Sequence, residues 1–323
     1  MTDCIWQPSA SFSLLRRRAC LLTEIRDFFA QRGVLEVETP LLSLGIGTDP
    51  HLAFFTVPTD EGAAPRYLQT SPEFAMKRLL AAGSGDIYQI CKAFRQGEAG
   101  RWHNPEFTLL EWYRVGFDLN ALIDEVEALL QRLLDLPLSP ARRLDYCEIF
   151  LEFTGLDALI FDVEAYRACA VSHGLPEAAD WCGEDAGLWL DLLFSHLVQP
   201  HLGQETVCFV QHFPAILSSL ARFAPHDPRL VERVEVFWRG VELGNGYHEL
   251  ADADEQMARF ARDNARRAVL GLPQVEIDTR LITALAAGLP DCSGIALGID
   301  RLLMLMTRAS HIDAVLAFPF SRA

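Results

Sequence analysis

The stretch from Phe94 to Phe107, FRQGEAGRWHNPEF, places basic and aromatic residues in one short, glycine-split segment. Arg95 and His103 are spaced so that an arginine binding two oxygens and a second hydrogen-bond donor could surround one phosphate group. The run His-Asn-Pro-Glu-Phe makes a rigid turn into an aromatic residue, which suits stacking on a base. The alternative is a solvated hairpin tip whose charges share no function, and spacing alone leaves both open.

Three glutamates form a second candidate group, because Glu235, Glu242 and Glu249 recur at intervals of seven. Residues seven apart on one strand point to opposite faces, so these carboxylates share a face only if a turn intervenes. Gly240, or the Gly-Asn-Gly run at 244–246, could supply that turn. Two such acids could hold Mg²⁺ on a nucleotide, since this ion prefers carboxylate and phosphate oxygens. Surface acids in an acidic protein are the alternative, which the residues alone favour.

The run GIALGIDR, ending at Arg301, is the third candidate. Its small residues would let a ligand or another backbone approach closely. Arg301 would lie in the first turn of a helix beginning near Ile299, where a positive charge opposes the helix dipole. A function for this arginine would explain its position, whereas tight helix packing would explain the glycines equally well.

Hydrophobic periodicity predicts the elements that would position these residues. Two β-rich runs flank the basic loop and predict a hairpin, and a second hairpin is predicted at 231–250. The predicted hairpin strands are 86–94 and 107–115, the predicted helices are 12–32, 72–83, 118–136 and 186–200, and a buried strand is predicted at 205–214. Strand pairs joined by short turns predict an α+β fold, an antiparallel sheet with helices packed on it. No P-loop or dinucleotide fingerprint is present.

Charge and composition exclude several classes of function. The formal charge is −16 and the pI about 5.0, which disfavours a broad electrostatic grip on nucleic acid. No apolar run has the length of a signal peptide or a spanning helix, so we expect a cytoplasmic protein with no membrane partner. Eight cysteines without a C-x-x-C pair predict reduced thiols. Three arginines at 16–18 could dock an acidic protein or form a solvated face.

Taken together, four segments in order resemble the class II aminoacyl-tRNA synthetases, and their lysyl subgroup in particular. GVLEVETPLL is similar to motif 1, FRQGEAGRWHNPEFTLLEWY to motif 2 and GIALGIDRLLML to motif 3. VELGNGYHEL is similar to the hairpin that binds the amino acid and metal in the lysyl enzymes. The resemblance implies the class II synthetase catalytic fold, and it favours the functional interpretation of the basic loop and the glutamates.

A more specific resemblance is to truncated paralogues of the lysyl enzymes, the elongation factor P β-lysine ligases. It rests on the phrases TSPEF, RWHNPEFTLLEWYR, PDCSGIALGIDR and AFPFSRA. Lysyl-tRNA synthetases carry an N-terminal OB-fold that binds the anticodon, whereas motif 1 here begins within the first few dozen residues. We therefore expect a single catalytic domain over residues 1–323, without an anticodon-binding OB-fold.

The resemblance also implies a role for each matched residue. ATP would be bound through its phosphates by Arg95 and His103 and through adenine by Phe107 and Arg301, with the two arginines catalytic. The nucleotide-binding set is completed by Asn104 and Glu242, and Mg²⁺ would be held by Glu235 and Glu242. The substrate-binding residues would be Glu73 and Tyr113 toward the amino end, Asn245 and Glu249 at the side-chain end, and in addition Ser71 and Ala296.

Two positions depart from the family patterns. The pattern F-R-x-E has an acid three residues after the phenylalanine, but Gly97 stands there and the acid is Glu98. Ala296 stands where the tRNA-charging lysyl enzymes have glycine. One extra methyl group can discriminate by about 1–3 kcal/mol, enough to disfavour α-lysine and admit an isomer with its amino group one carbon along.

The implied function is ATP-dependent activation of (R)-β-lysine and its transfer to a lysine of elongation factor P, without tRNA. Motif 1, which contains Pro40, implies a homodimer. Two alternatives stay open: a compact enzyme that charges tRNA without reading the anticodon, and a catalytically silent amino-acid sensor. Sensors of this kind usually lose motif arginines or metal acids, yet Arg95, Glu242 and Arg301 are all present.

Overall fold

The computed structural model of the chain describes residues 6–60, 64–134, 140–218 and 220–323. The backbone packs into two compact units, the first comprising Met1–Gly116, Arg132–Asp135 and Ala251–Ala323, and the second Phe117–Gln131 and Leu136–Leu250. The helices are α1 (Phe12–Ala30), α2 (Glu73–Ala81), α3 (Leu119–Leu134), α4 (Tyr146–Thr154), α5 (Val163–Ser172), α6 (Ala178–Cys182), α7 (Ala186–Leu193), α8 (Ala253–Val269), α9 (Thr279–Gly288) and α10 (Ile299–Thr307). The strands are β1 (Leu35–Glu36), β2 (Leu42–Ser43), β3 (Thr56–Val57), β4 (Arg66–Leu68), β5 (Ile87–Phe94), β6 (Glu106–Val115), β7 (Arg142–Asp145), β8 (Cys208–Pro214), β9 (Phe223–Ala224), β10 (Asp227–Trp238), β11 (Val241–His248) and β12 (Cys292–Gly298).

The first unit is organised by the long β5–β6 hairpin that the sequence predicts, with Ile87 opposite Tyr113 and Phe94 opposite Glu106. β12 pairs antiparallel with β6, and β1 adds a short parallel edge to β5. The strand order is therefore β1-β5-β6-β12, and β2, β4 and β3 form a separate small sheet. The predicted passage from strand to helix is also confirmed, since β12 ends at Gly298 and α10 begins with the next residue.

Helix α1 packs on this sheet through one apolar face, as its helical spacing of apolar residues predicts. Leu21, Ile25 and Phe29 are fully buried. The Phe29 ring stacks on Tyr88 at 4.5 Å between centroids and meets Trp112 edge-on at 5.3 Å. The apolar face of α1 therefore packs against side chains from β5 and β6.

In the second unit, β10 and β11 form the second predicted hairpin. Its turn is made by Arg239 and Gly240, which have φ values of 53° and 72°. Two consecutive left-handed residues match the twist of a two-residue hairpin turn. The sequence left two positions open for this turn. The turn lies at Gly240, whereas the run 244–246 is part of β11. The strand order is β11-β10-β8-β7, with β7 parallel to β8 and β9 pairing with β10.

Helices α4 to α7 cover an aromatic core in the second unit. Tyr146 stacks on Phe194 at 4.8 Å with nearly parallel rings, and Phe213 of β8 packs against it at the same distance. The helix predicted at 186–200 is found as α7, followed without a break by two further helical turns that end at His201. The sheet and helices observed in the two units agree with the predicted α+β fold.

The described cysteines carry free thiols, while Cys4 lies outside the described residues. Within the described ranges, no helix combines the length and the apolar character that crossing a bilayer requires.

Candidate functional site

The basic loop joins the ends of β5 and β6, and Arg95 folds back over the first aromatic residue of β6. Its guanidinium carbon lies 5.1 Å from the ring centroid of Phe107. Nη1 of Arg95 contacts Glu98 Oε1 at 3.5 Å, a geometry reached through Gly97 at φ +81°. Nε of Arg95 is buried and makes no hydrogen bond within the described part of the chain. The side chain therefore keeps donor capacity for an oxygen-rich ligand.

His103 and Arg301 come together although 198 residues separate them in the sequence. Nη2 of Arg301 lies 2.6 Å from Nε2 of His103. Because an arginine only donates, Nε2 of His103 is the acceptor in this bond. Nε of Arg301 also donates to the Trp102 carbonyl at 3.4 Å. The arginine of the third sequence candidate thus contacts the loop of the first.

Asn104 has a different environment from its loop neighbours. It is 7% exposed, and its Nδ2 donates to a backbone carbonyl in the same turn at 2.5 Å. Its Oδ1 accepts from the Phe320 amide at 2.9 Å, and the Ile312 amide donates to the Arg101 carbonyl at 2.9 Å. Residues 310–320, the tail segment, therefore hold the loop in place. A nucleotide contact from Asn104 stays a prediction, since these observed partners are backbone groups.

Ser71, Glu73 and Tyr113 are brought together around a residue that the sequence did not single out. Glu111 Oε2 accepts from the Ser71 hydroxyl at 2.8 Å, and Oε1 accepts from the Tyr113 hydroxyl at 2.7 Å. The Glu73 amide donates to Ser71 Oγ at 3.1 Å, and Lys77 Nζ lies 2.6 Å from Glu73 Oε1. These five residues are called the Glu111 cluster below.

Ala296 belongs beside this cluster. It lies directly opposite Glu111 in the β6–β12 ladder. Residues directly opposite each other in an antiparallel pair point to the same face of the sheet. The methyl group of Ala296, where the lysyl pattern has glycine, therefore lies on the same face of the sheet as the buried carboxyl group of Glu111.

Glu111 and Lys77 are 2% and 1% exposed, yet sequence analysis missed both. A signal was available for Glu111, since it is an acid within the otherwise apolar run FTLLEWY. Lys77 stands four residues after Glu73 on α2, the spacing of a helical ion pair. That spacing is common on solvated helices, so it carries little information about burial.

The electrostatics of the cluster favour a protonated Glu111. Burial, and after it the neighbouring charge of Glu73, together raise the pKa of Glu111 to about 8. The hydrogen bonds from Tyr113 and Ser71 and the charge of Lys77 oppose this rise. A buried carboxyl with one cation and one further acid beside it is suited to receive a second cation, such as an ammonium group.

In the second unit, the β10–β11 hairpin places three of the predicted residues on one face. Glu235 is directly opposite Asn245. A register shift after Val236 brings Glu242 opposite Phe237, so a bulge moves Glu242 onto the Glu235 face. This bulge and the hairpin turn together resolve the opposite-face problem that the seven-residue spacing poses.

Arg233 organises that face. Its Nη2 forms an ion pair with Glu235, and its Nε donates to Asn245 Oδ1 at 3.2 Å. Burial raises the pKa of Glu235 to about 7, with Arg233 opposing the rise and Glu242 adding to it. Glu249 follows β11 in extended backbone, is 1% exposed and pairs with Ala221 through the backbone.

The donor chemistry of Glu235 and Glu242 fits Mg²⁺ in part. Mg²⁺ is commonly bound by one or two carboxylates together with substrate phosphates. Among the residues that the structure describes, no group of three or more histidine, cysteine, aspartate or glutamate side chains is arranged to hold a metal. Phosphate oxygens would have to complete the coordination, and Arg233 competes for Glu235.

Comparisons with known proteins cover the chain nearly end to end. The sequence model of the family described as tRNA synthetases class II (D, K and N) matches residues 6–322. A protein of Vibrio cholerae serotype O1 named elongation factor P--(R)-beta-lysine ligase is 52% identical over 327 residues, covering 100% of both chains. Proteins of the same name from Salmonella typhi and Yersinia enterocolitica serotype O:8 are 50% and 52% identical over 322 residues, covering 98% of each chain.

Proposed function

Because this chain belongs to the family of class II tRNA synthetases (D, K and N), we propose that it is an ATP-dependent ligase that joins (R)-β-lysine to elongation factor P. Membership of the family implies the use of ATP. The substrate assignment is supported by the name shared by relatives about half identical to the chain over its length. The structural observation that carries it is the Glu111 cluster, a buried acidic receptor for an ammonium group on the hairpin that also carries the basic loop.

For ATP, we assign the phosphates to the basic loop. Arg95 contacts the α-phosphate, because its guanidinium can donate to two oxygens in a fixed geometry. His103 contacts the outer phosphates, and adenine lies between Phe107 and Arg301. Asn104 supports these contacts by holding the loop to the tail segment. Charge placed in advance around the reacting phosphate stabilises the transition state.

For the amino acid, we assign the amino end to the Glu111 cluster. Ser71, Glu73 and Tyr113 contact the ammonium group together with Glu111, and the methyl group of Ala296 limits where that group can lie. In the second unit, Asn245 and Glu249 are assigned to the side-chain end. The buried carboxylate of Glu249 pairs with the distal ammonium of the substrate.

We propose that Glu242, with Glu235, holds Mg²⁺. When bound, this ion neutralises charge on the phosphate oxygens of ATP. Arg233 forms an ion pair with Glu235 and so competes with the ion for this carboxylate. The raised pKa of Glu235, about 7, indicates a carboxyl group that gains from a further positive charge nearby.

The reaction has two steps. A carboxylate oxygen of β-lysine attacks the α-phosphorus of ATP, the bond to the bridging oxygen breaks, and pyrophosphate leaves. The ε-amine of a lysine on elongation factor P then attacks the carbonyl carbon, AMP leaves, and the amine loses a proton as the amide forms. The substrate carboxylate is itself the nucleophile of the first step, so orientation and charge neutralisation supply most of the acceleration.

We further propose a homodimer and a protein acceptor in place of tRNA. Leu41 and Leu42, at the end of the Pro40 segment that resembles motif 1, and Leu44 just after it are 39%, 39% and 50% exposed. Exposed leucines in succession are typical of a surface that another chain covers. The net charge of −16 disfavours the phosphate backbone of tRNA as a partner.

The test is amino-acid-dependent ATP–pyrophosphate exchange with (R)-β-lysine and α-lysine in parallel, followed by the mass of elongation factor P after incubation. We expect strong exchange with the β isomer and a mass gain of one β-lysyl group. Exchange with neither amino acid would favour the sensor alternative. Aminoacylation of tRNA with α-lysine would favour the compact synthetase.

A further inference from the structure

Arg18, in the first half of α1, is partly buried and contacts helix α10 and strand β6. Its Nη1 donates to Asp300 Oδ1 at 2.6 Å, and its Nη2 donates to Thr108 Oγ1 at 2.7 Å. The side chains of Arg18 and Asp300 are 17% and 3% exposed. One guanidinium thus connects the beginning of α10 with β6.

Asp300 and Thr108 are also bonded directly to each other. The β6–β12 ladder ends where Gly298 lies opposite Leu109, so β12 has no backbone carbonyl opposite the next amide of β6. The Thr108 amide donates instead to Asp300 Oδ2 at 2.7 Å. A side-chain carboxylate therefore takes the place of the missing strand partner, and Arg18 binds its other oxygen.

The two residues that Arg18 contacts are the sequence neighbours of the adenine-binding pair. Thr108 follows Phe107, and Asp300 precedes Arg301. We propose that Arg18 is a positioning residue for the nucleotide, which sets the gap between Phe107 and Arg301 through its bonds to Thr108 and Asp300. This inference rests on the proposed function, since it takes from it the assignment of adenine to that pair.

The neighbouring arginine shows that this arrangement is not a general property of the basic run at 16–18. Arg17 Nη1 pairs with Glu24 on the same helix at 3.1 Å, its Nη2 donates to the Leu133 backbone carbonyl at 3.5 Å, and its side chain is 38% exposed. Arg18 has one of its two partners 282 residues away in the sequence. The interpretation of the run as a docking or solvated face is therefore wrong for Arg18. Arg17 provides a matched control.

Loss of the Arg18 contacts should affect one substrate only. When the spacing of Phe107 and Arg301 is no longer held, ATP binds in a less productive geometry, and we expect the KM for ATP to rise by about 10- to 100-fold. The KM for β-lysine should stay within about twofold, because the Glu111 cluster has separate contacts.

The experiment compares wild type with Arg18→Met, Arg18→Lys, Thr108→Val and Arg17→Met in ATP–pyrophosphate exchange, varying each substrate in turn and recording Tm. Arg18→Met should raise the KM for ATP most and Arg17→Met least. The KM for ATP of Arg18→Lys should lie between those of these two variants. A lysine ammonium keeps the positive charge but cannot reproduce the two hydrogen bonds that the planar guanidinium makes in a fixed geometry. Thr108→Val removes a single hydroxyl at nearly constant volume and tests the same network if Arg18→Met does not fold.

Equal values of the KM for ATP in Arg17→Met, Arg18→Met and Thr108→Val would overturn the proposal. So would a parallel rise of both KM values that follows the loss of Tm. Binding of a non-hydrolysable ATP analogue is measured on the same variants by calorimetry, a readout that needs neither β-lysine nor elongation factor P. A wild type that binds the analogue without exchange would refute the proposed substrate, and the order of analogue affinities would still decide the role of Arg18.

Discussion

The Tyr113 hydroxyl donates a hydrogen bond of 2.7 Å to Oε1 of Glu111, which stands two residues earlier on β6. The two side chains point to the same face of the strand. The Ser71 hydroxyl donates a hydrogen bond to the other carboxyl oxygen, Oε2. Hydrogen bonds of this kind favour the ionised form, so the raised pKa of Glu111 is a balance in which burial prevails.

Stability should therefore fall with rising pH because of Glu111. The folded state keeps this proton up to about pH 8, whereas the ordinary value is 4.5. Between these limits the folded state binds more protons, so the free energy of unfolding decreases as pH rises. Urea unfolding measures the free energy of unfolding of wild type and of Glu111→Gln. From pH 6 to pH 8, the value for Glu111→Gln should rise by about 2 kcal/mol relative to the value for wild type. Glu106→Gln, at the exposed end of the same strand, is the control, and identical pH slopes for all three proteins would contradict the assignment.

Binding of (R)-β-lysine should release a proton at pH 7. An ammonium group beside Glu111 favours the carboxylate, so the proton that burial retains is displaced when the substrate binds. Calorimetry in buffers of different ionisation enthalpy measures this release directly. In Glu111→Gln the release should be lost; its persistence would place the proton on another group.

Arg95→Ala should lower the rate of adenylate formation by about 100- to 1000-fold. The guanidinium lies at the base of the loop with a buried Nε that is not hydrogen-bonded within the described residues, and we assign it to the α-phosphate. Lys92→Ala removes a positive charge three residues earlier on β5, where the lysine side chain is 42% exposed and paired with Glu106. Pyrophosphate exchange should separate the two variants, and similar rates would remove Arg95 from the mechanism.

Ala296→Gly should weaken discrimination against α-lysine. The methyl group lies opposite Glu111, so its removal enlarges the space beside the carboxyl that receives the amino end. A single methyl group accounts for about 1–3 kcal/mol, or roughly 10- to 200-fold in the ratio of kcat/KM values. Exchange assays with both isomers measure this ratio, and an unchanged ratio would show that selectivity arises elsewhere.

Glu249 should enforce the requirement for a distal amine. An analogue of β-lysine without that amine offers the buried carboxylate no cation, and we expect about a 10⁴-fold lower kcat/KM in wild type. Glu249→Gln should shrink this preference, because a neutral amide gains little from an ammonium group. Equal activation of the two compounds by wild type would rule out the proposed role.

Both hairpins were predictable from the sequence because alternating β-rich runs and turn residues are local signals. The strand-to-helix passage at Ile299 was predictable for the same reason. The seven-residue spacing of Glu235 and Glu242 misleads on its own, because their shared face depends on a bulge after Val236 that has no residue signature. The local sequence pattern thus predicts the strands and helices, whereas the bulge can be recognised only when the pairing of β10 with β11 is known.

The least predictable residues are those whose partners are distant in sequence. Arg18 looks like one of three equivalent arginines, yet it alone reaches Asp300 among the contacts described for that run. Glu111 reads as part of a strand, and its hydrogen bond to Ser71 spans 40 residues. The nucleotide contact of Asn104 stays a prediction from family resemblance, and its observed bond to the Phe320 amide joins residues that are 216 positions apart.

The contacts between the tail segment and the loop make two amides outside the loop into reporters of its state. The amide protons of Ile312 and Phe320 are bonded to Arg101 and Asn104, and solvent can replace them with deuterium only when these bonds open. A ligand that stabilises the loop should slow the hydrogen exchange of these two amides. Hydrogen exchange at Ile312 and Phe320 could therefore report ligand binding to the loop, although neither residue is assigned a contact with the ligand.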